Sequence, residues 1–284
     1  MKTYIRDYKW GKIILLNYDL ISDIINFYGE WADLEVSLFA SILELGDEVI
    51  EVGCNLGMHT IPLCKFVGIT GKVIGFEAQR VLHQVLCGNM AINNITNAYL
   101  YNYAIGEMDS HIYIPSLNYE TQGNYGALSL GNYISGEKID LRMLDSIEAI
   151  ADLTKLRLIK IDVEGMEAEV IQGAKTIISK FRPILFVENN QSEKGENLIQ
   201  LISSLDYSCY WFCARGYNPN NYNHIELDVL NGGGDHNMLC IPNEHNKNPS
   251  FLQKVSSFNE LLEGRVPWVE AVDPSWYQPA QMYV

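Results

Sequence analysis

Three short stretches carry residue types and spacings that could do chemistry. The first is VIEVGCNLGMHT, residues 49–60, where an apolar run ends in Glu51 and then breaks into Gly53, Asn55 and Gly57 before His59 and Thr60. A strand that only filled a core would not need two glycines and an asparagine so close together. Such a cluster marks a tight turn or a close backbone approach to a ligand. The second is VIGFEAQ, residues 73–79, another apolar run closing on an acid, Glu77, followed by Ala78 and Gln79. The third is LIKIDVEG, residues 158–165, ending in Asp162 and Glu164. Glu77 follows Gly53 by 24 residues, which suits a second-strand carboxylate accepting the two hydroxyls of a ribose. A helix starting near Met58 turns its positive N-terminus towards a ligand carboxylate. Together these features describe a site for a nucleoside-bearing ligand.

The elements that must position these residues follow from the hydrophobic pattern. DEVIEVG reads as a first strand, MHTIPLCKFVG as a helix and GKVIGFEA as a second strand. RVLHQVLCGNMAIN then reads as a helix and AYLYNYAIG as a third strand, which places Asn102 and Ala104 at its end. LRLIKIDVEG is a near-continuous apolar run, as expected of a strand buried on both faces. The helix AEVIQGAKTIISKF, the strand RPILFVENN ending in Glu188 and Asn189, and the helix GENLIQLISSL come next, then two final strands, YSCYWFCARG and HNMLCIP. Alternating strands and helices predict an α/β fold, a parallel sheet with right-handed crossovers. Ligands of such sheets bind at the carboxyl ends of the strands. Residues 1–46 read as an N-terminal strand and helix extension, 47–242 as the ligand-binding domain, and 243–284 as a tail packed back on it. A Tyr-, Asn- and Gly-rich stretch at about 107–138 reads as a lid-like insertion.

Composition narrows the partner. The 284 residues carry 35 acids against 20 bases, a formal net charge of −15. Phosphate neutralisation dominates nucleic-acid affinity, so the balance predicts a small, neutral or carbohydrate partner and no nucleic acid. No window approaches the length of a membrane span. Six cysteines form no CxxC pair, which reads as reduced thiols in a cytoplasmic protein. The glycine loop lacks both the G-x-G-x-x-G dinucleotide spacing and a Walker lysine.

The motifs YGEWADLEVSLF, VIEVGCNLGMHT, VIGFEAQ, YNYAIGE, GNYGALSL and LIKIDVEGMEAEVIQGA, taken in this order between residues 28 and 190, resemble the FkbM family of class I S-adenosylmethionine-dependent methyltransferases. Cys54 stands where that family more often has alanine. The resemblance implies a Rossmann-like, seven-stranded, mostly parallel sheet with the last strand antiparallel and helices on both faces. It implies S-adenosyl-L-methionine as cofactor and O-methylation of sugars or small natural products. In that frame Glu51 positions the amino end of the cofactor, Glu77 the ribose, and Ala78 and Gln79 flank the adenine with Asn102 and Ala104. Gly53, Asn55, Gly57, His59 and Thr60 form the binding loop, and GNYGALSL lies over the site.

Asp162 is the residue expected at the reaction centre, because methyl transfer needs an aligned hydroxyl and a base within reach. His236, in GGGDHNML, is a second candidate base. A divalent cation, magnesium or calcium, on Asp162, Glu188 and Asn189 is the other way to activate a hydroxyl. Two rival readings share the sheet: an NAD-dependent oxidoreductase and a non-catalytic nucleoside-binding module.

Overall fold

The computed structural model describes residues 1–130, 133–190 and 194–277. Small parts of the expected lid and tail, residues 131–132 and 278–284, lie outside them. The chain opens with a hairpin, β1 (Thr3–Tyr8) and β2 (Gly11–Leu16), then helices α1 (Leu20–Tyr28) and α2 (Asp33–Ile42). Asp19 caps α1 by accepting from the Ser22 N–H, and Gly29 ends it in a left-handed turn. The alternation follows: β3 (Glu48–Val52), α3 (Thr60–Val67), β4 (Lys72–Phe76), α4 (Arg80–Ile92) and β5 (Ala98–Tyr101). A small second sheet comes next, β6 (Ala104–Ile105), β7 (Ser110–Ile114) and β8 (Glu137–Arg142), then a short α5 (Glu148–Ala151). The core resumes with β9 (Leu156–Ile161), α6 (Glu167–Gln172), α7 (Lys175–Phe181), β10 (Ile184–Glu188) and α8 (Gly195–Ser203). It ends with β11 (Tyr207–Arg215), β12 (Gly234–Pro242), β13 (Gln253–Lys254) and α9 (Asn259–Leu262).

The main sheet runs β13-β11-β12-β10-β9-β3-β4-β5. From β10 to β5 every pairing is parallel; β12 is antiparallel to both β10 and β11. The seven expected strands are present, and the last long strand is the antiparallel one. The tail adds two residues, β13, to the edge beside β11. Strand order reverses between β3 and β9, so their carboxyl ends open a crevice there.

Side-chain alternation sorts the strands' residues between two layers of helices. Ile50 and Val52 of β3, Ile159 and Ile161 of β9, and Leu185 and Val187 of β10 pack with α6, α7 and α8. Val49, Leu158, Ile184 and Phe186 on the same strands pack with Leu38, Phe39 and Ile42 of α2 and Leu63 and Val67 of α3. The chain is therefore an α/β protein with helices on both faces. The stretch read as one third strand is split into β5 and β6, and the helix read over residues 168–181 is split at Gly173. A Cβ there would lie 2.0 Å from the Gly106 carbonyl oxygen, so only glycine fits where the two backbones meet.

The N-terminal hairpin is fastened by side chains rather than by a third strand. The N–H groups of Lys12 and Ile14 donate to the Oδ1 atoms of Asn93, at the C-terminal cap of α4, and Asn89, within it, at 2.9 and 2.6 Å. Asn93 Nδ2 donates back to the Lys12 carbonyl at 2.7 Å, and Asn89 Nδ2 also reaches the Leu56 carbonyl in the glycine loop at 2.8 Å.

Candidate active site

The crevice holds a cavity of about 180 Å³ at the carboxyl ends of β3, β4, β9 and β10. Its first wall is the loop after β3. Gly53 has φ +89°, and a Cβ on it would sit 1.8 Å from the carbonyl oxygen of Asp162. Only glycine lets β3 leave the sheet this close to the end of β9. The N–H groups of Gly53 and Cys54 both donate to the Phe76 carbonyl, at 2.9 and 3.0 Å, which ties the loop to β4. Gly57 (φ +91°) turns the chain against Leu86 of α4, and α3 begins at Thr60.

The loop and β4 together hold Glu77. Its Oε2 accepts from the Asn55 N–H and its Oε1 from the Gln79 N–H, both at 2.8 Å. Burial pushes the carboxyl up to about 7 despite these two bonds. Each oxygen keeps a further lone pair, so the group can accept two vicinal hydroxyls. Next to it, Gln79 Nε2 donates to the Tyr125 carbonyl at 2.7 Å, while its Oε1 is buried without a partner. Ala78, Tyr103, Ala104 and Ile105 make the apolar side of this end of the cavity. Residues 124–130 of the expected lid close over it: Asn124, Gly126, Ala127, Leu128 and Leu130 all line the cavity. The loop is anchored from below, where Tyr125 N–H donates to Asp19 Oδ1 and Leu20 N–H to the Gly123 carbonyl.

Glu51 lies under the loop and does not line the cavity. Its Oε2 accepts from the Thr60 hydroxyl at 2.7 Å, and its Oε1 is buried without a partner. Burial raises it to about 7, against the attraction of the Lys160 ammonium. Lys160, fully buried within β9, is one of the residues that reading the sequence missed. Nearby Asp162, Glu51 and Glu35 raise its pKa against the opposing effect of burial, so it stays protonated. Its Nζ lies 3.0 Å from Asp162 Oδ2, and the Asp162 side chain remains 38% exposed towards the cavity.

The far end of the cavity is built by residues distant in sequence. Glu35 of α2 is buried; its Oε1 accepts from Asn237 Nδ2 at 2.9 Å, and its Oε2 lies 3.4 Å from His59 Nε2 without hydrogen-bond alignment. Burial and the nearby Asp235 carboxylate push Glu35 well up, whereas burial and Lys160 hold His59 well down, as a neutral ring. Asp235 and Asn237 of β12, Glu164 and Glu188 complete this end, and Trp31 also lines the cavity. Carboxylate oxygens of Asp162, Glu164 and Glu188 lie within 4.8 Å of one another.

Several expected site residues fall elsewhere. Asn102 is a brace: its Nδ2 donates to the carbonyls of Glu77 and Ala78, at 2.8 and 2.9 Å. Asn189 is turned inward, donating to the Gly195 carbonyl at 3.3 Å and lying 3.4 Å from Met238 Sδ. It does not line the cavity, whereas Glu164 and Glu188 do. His236 stacks on Trp268 with ring centroids 5.3 Å apart and is not among the lining residues. Signals for the missed residues were present in part. A lysine inside a strand buried on both faces needs a partner, and Asp162 stands two residues on, on the same face. Asp235 and Asn237 share that i, i+2 spacing. Glu35 and Trp31 stand within the motif YGEWADLEVSLF, but nothing local to it gave either residue a role in the site.

The part of the cavity lining that runs from Val52 to Glu188 lies within the segment matched by a family profile. The profile of the methyltransferase FkbM domain matches residues 51–217. A 23S rRNA (uracil(1939)-C(5))-methyltransferase RlmD of Acinetobacter baumannii (strain AB0057) is 32% identical over 78 residues, a match that spans 27% of this chain and only 17% of that enzyme. Among solved structures, an FkbM methyltransferase from Methylobacillus flagellatus KT is similar with a TM-score of 0.45 at 15% identity, covering 77% of this chain and 53% of that one. A SAM-dependent O-methyltransferase from Thermotoga maritima is similar with a TM-score of 0.47 at 13% identity, covering 84% and 77%. With more than half of its length matched by the domain profile, and that match running from the glycine loop to the end of β11, the chain belongs to the FkbM methyltransferase family.

Proposed function

We propose that this chain transfers the methyl group of S-adenosyl-L-methionine to a hydroxyl of a sugar or small natural-product acceptor. The observation that carries the reading is one cavity with two unlike ends: Glu77 clamped between two backbone N–H groups at one, and the half-exposed Asp162 held by Lys160 at the other. The donor set fits the cofactor. Glu77 suits the ribose hydroxyls, and the orphaned Gln79 Oε1 suits the amino group of an adenine lying against Ala78 and Ala104. When bound, the cofactor supplies an electrophilic methyl on sulfur and a neutral thioether as leaving group. The protein's own work is alignment and proton removal. Lys160 bonds Asp162 Oδ2 and leaves Oδ1 to accept from the acceptor hydroxyl, orient its oxygen and take its proton. Glu51 and His59 lie beneath and beside the place where the amino-acid end would sit. His236 has no part in this scheme.

A second reading uses a divalent cation on Asp162, Glu188 and Glu164 instead of a free carboxylate base. A chelator that abolishes turnover, with magnesium restoring it, favours that reading; activity indifferent to chelator removes it. We read the setting as cytoplasmic, because five of the six free thiols are buried. No helix among the described residues is long and apolar enough to cross a membrane.

The test is thermal unfolding with S-adenosylmethionine, its demethylated product and NAD, followed by turnover on an acceptor library. A ligand at about 100 times its dissociation constant stabilises by roughly 2.7 kcal/mol. Stabilisation by the adenosyl ligands and none by NAD supports the reading; the reverse result brings back an oxidoreductase. Tight cofactor binding with no turnover on any acceptor brings back a binding module. Asp162→Asn is expected to lower turnover by about a hundredfold or more while leaving cofactor affinity within a few-fold. Equal losses in both make Asp162 a binding residue instead.

A further inference from the structure

The far end of the cavity is charged one way. Glu35, Asp162, Glu164, Glu188 and Asp235 all line it, against a single lysine and no arginine among the described lining residues. Lys160 is already committed, with Nζ 3.0 Å from Asp162 Oδ2 and a side chain 2% exposed. A bound S-adenosylmethionine would add an ammonium, a sulfonium and a carboxylate, one net positive charge. Five carboxyl groups still outnumber these two positive charges; burial and mutual repulsion push Glu35 well up and Glu188 up to about 10, so these two hold protons that a bound cation would displace. Like charges held together away from water repel strongly, so such a set is stable only with a cation among them or with protons retained.

Two further observations point to an organic cation. Glu188 Oε2 is buried without a hydrogen-bond partner, within the carboxylate cluster. Trp31 also lines the cavity, and an indole is a side chain that recognises ammonium groups. We propose that the methyl acceptor carries a protonated amine, as an amino sugar or an ammonium-bearing polyol does, received by Glu35, Glu188, Asp235 and Trp31 while its hydroxyl meets Asp162. The proposal rests on the methyl-transfer reading and narrows its substrate class. It excludes sugar phosphates, nucleotide sugars and RNA, whose charge the cavity repels. Trp31 and Glu35 precede the segment matched by the family profile, and Asp235 follows it.

The experiment measures thermal unfolding of the full chain saturated with the demethylated cofactor product, at constant ionic strength near pH 6.5. The probes are glucosamine, galactosamine and mannosamine, their N-acetyl forms, glucose 6-phosphate, and magnesium chloride alone. Stabilisation by at least one amine, with none from its N-acetyl form or the phosphate, is the expected result. Asp235→Asn should weaken that amine by about tenfold or more while cofactor affinity holds; Glu35→Gln serves the same purpose if the first variant does not fold. Equal or greater stabilisation by an N-acetyl sugar or the phosphate overturns the proposal. So does silence from every amine, and so does a response to magnesium alone, which assigns the carboxylates to a metal. If the cofactor product itself gives no stabilisation, it is the methyl-transfer reading that fails.

Discussion

Glu77 shows how much one carboxylate can be asked to do. Its two backbone donors fix its direction, and burial makes its charge costly. Replacing it with glutamine keeps the shape but presents an amide N–H to one of the two donors. Glu77→Gln is expected to weaken cofactor binding by about 10–100-fold, the worth of a charge-assisted hydrogen bond, with kcat at saturating cofactor changed far less. Titration calorimetry reads the first and steady-state kinetics the second. Glu51 and Glu77 also set a pH dependence. Both are raised from 4.5 to about 7, so the folded state binds their protons more tightly than the unfolded chain. Their contribution to stability is then complete below about pH 4.5 and is lost as pH rises to about 7, by up to roughly 3 kcal/mol each. Unfolding of the cofactor-free protein by urea should show stability falling from pH 5 to pH 8 across that window. Ribose hydroxyls favour the ionised form of Glu77, so cofactor binding near pH 6.5 should release protons. Binding heats measured in buffers of different ionisation enthalpy detect that release, and Glu77→Gln should remove its share.

At the scale of elements, the junction of β3 and β9 is the least forgiving place in the sheet. Gly53→Ala puts a methyl 1.8 Å from a backbone oxygen in a backbone region that L-residues avoid. The expected cost is about 3 kcal/mol or more, visible as a lower urea midpoint, with cofactor binding lost in whatever folds. This junction was legible in the sequence, because glycine beside an acid at a strand end has few other reasons to exist. The parallel strands were legible for the same kind of reason: runs such as LRLIKI and ILFVE are buried on both sides and tolerate no polar side that must face water. The far end of the cavity was not. Glu35 reaches it from a helix and Asp235 from a strand 200 residues later, and no local pattern signals that meeting. His236 and Asn189 stand outside the cavity lining for a complementary reason. Side-chain direction alternates along a strand, so Asp235 and Asn237 line the cavity while His236 between them turns towards Trp268.

For the whole molecule, the balance of −15 and the acidic lining argue together. The curated relative acts on 23S rRNA by its name, yet it shares only a short stretch with this chain. Filter binding to a structured RNA at physiological salt should show no retention; salt-sensitive retention would instead place a basic surface where the charge count offers none. The first 46 residues are as integral as the sheet. Ile13, Leu15 and Leu16 are fully buried, and Glu35 and Trp31 belong to the cavity. Removing residues 1–46 is expected to leave an insoluble or non-cooperatively unfolding chain by circular dichroism, rather than a smaller active enzyme. The asparagines of α4 and its C-terminal cap have one more consequence. An unpaired strand edge is a template on which another chain can grow a sheet, and β2 would present one on the side away from β1. At Lys12 and Ile14 that edge is already filled by the carboxamides of Asn93 and Asn89. A helix thus imitates a neighbouring strand with two side chains, and the hairpin ends the ladder there instead of inviting a second molecule to extend it.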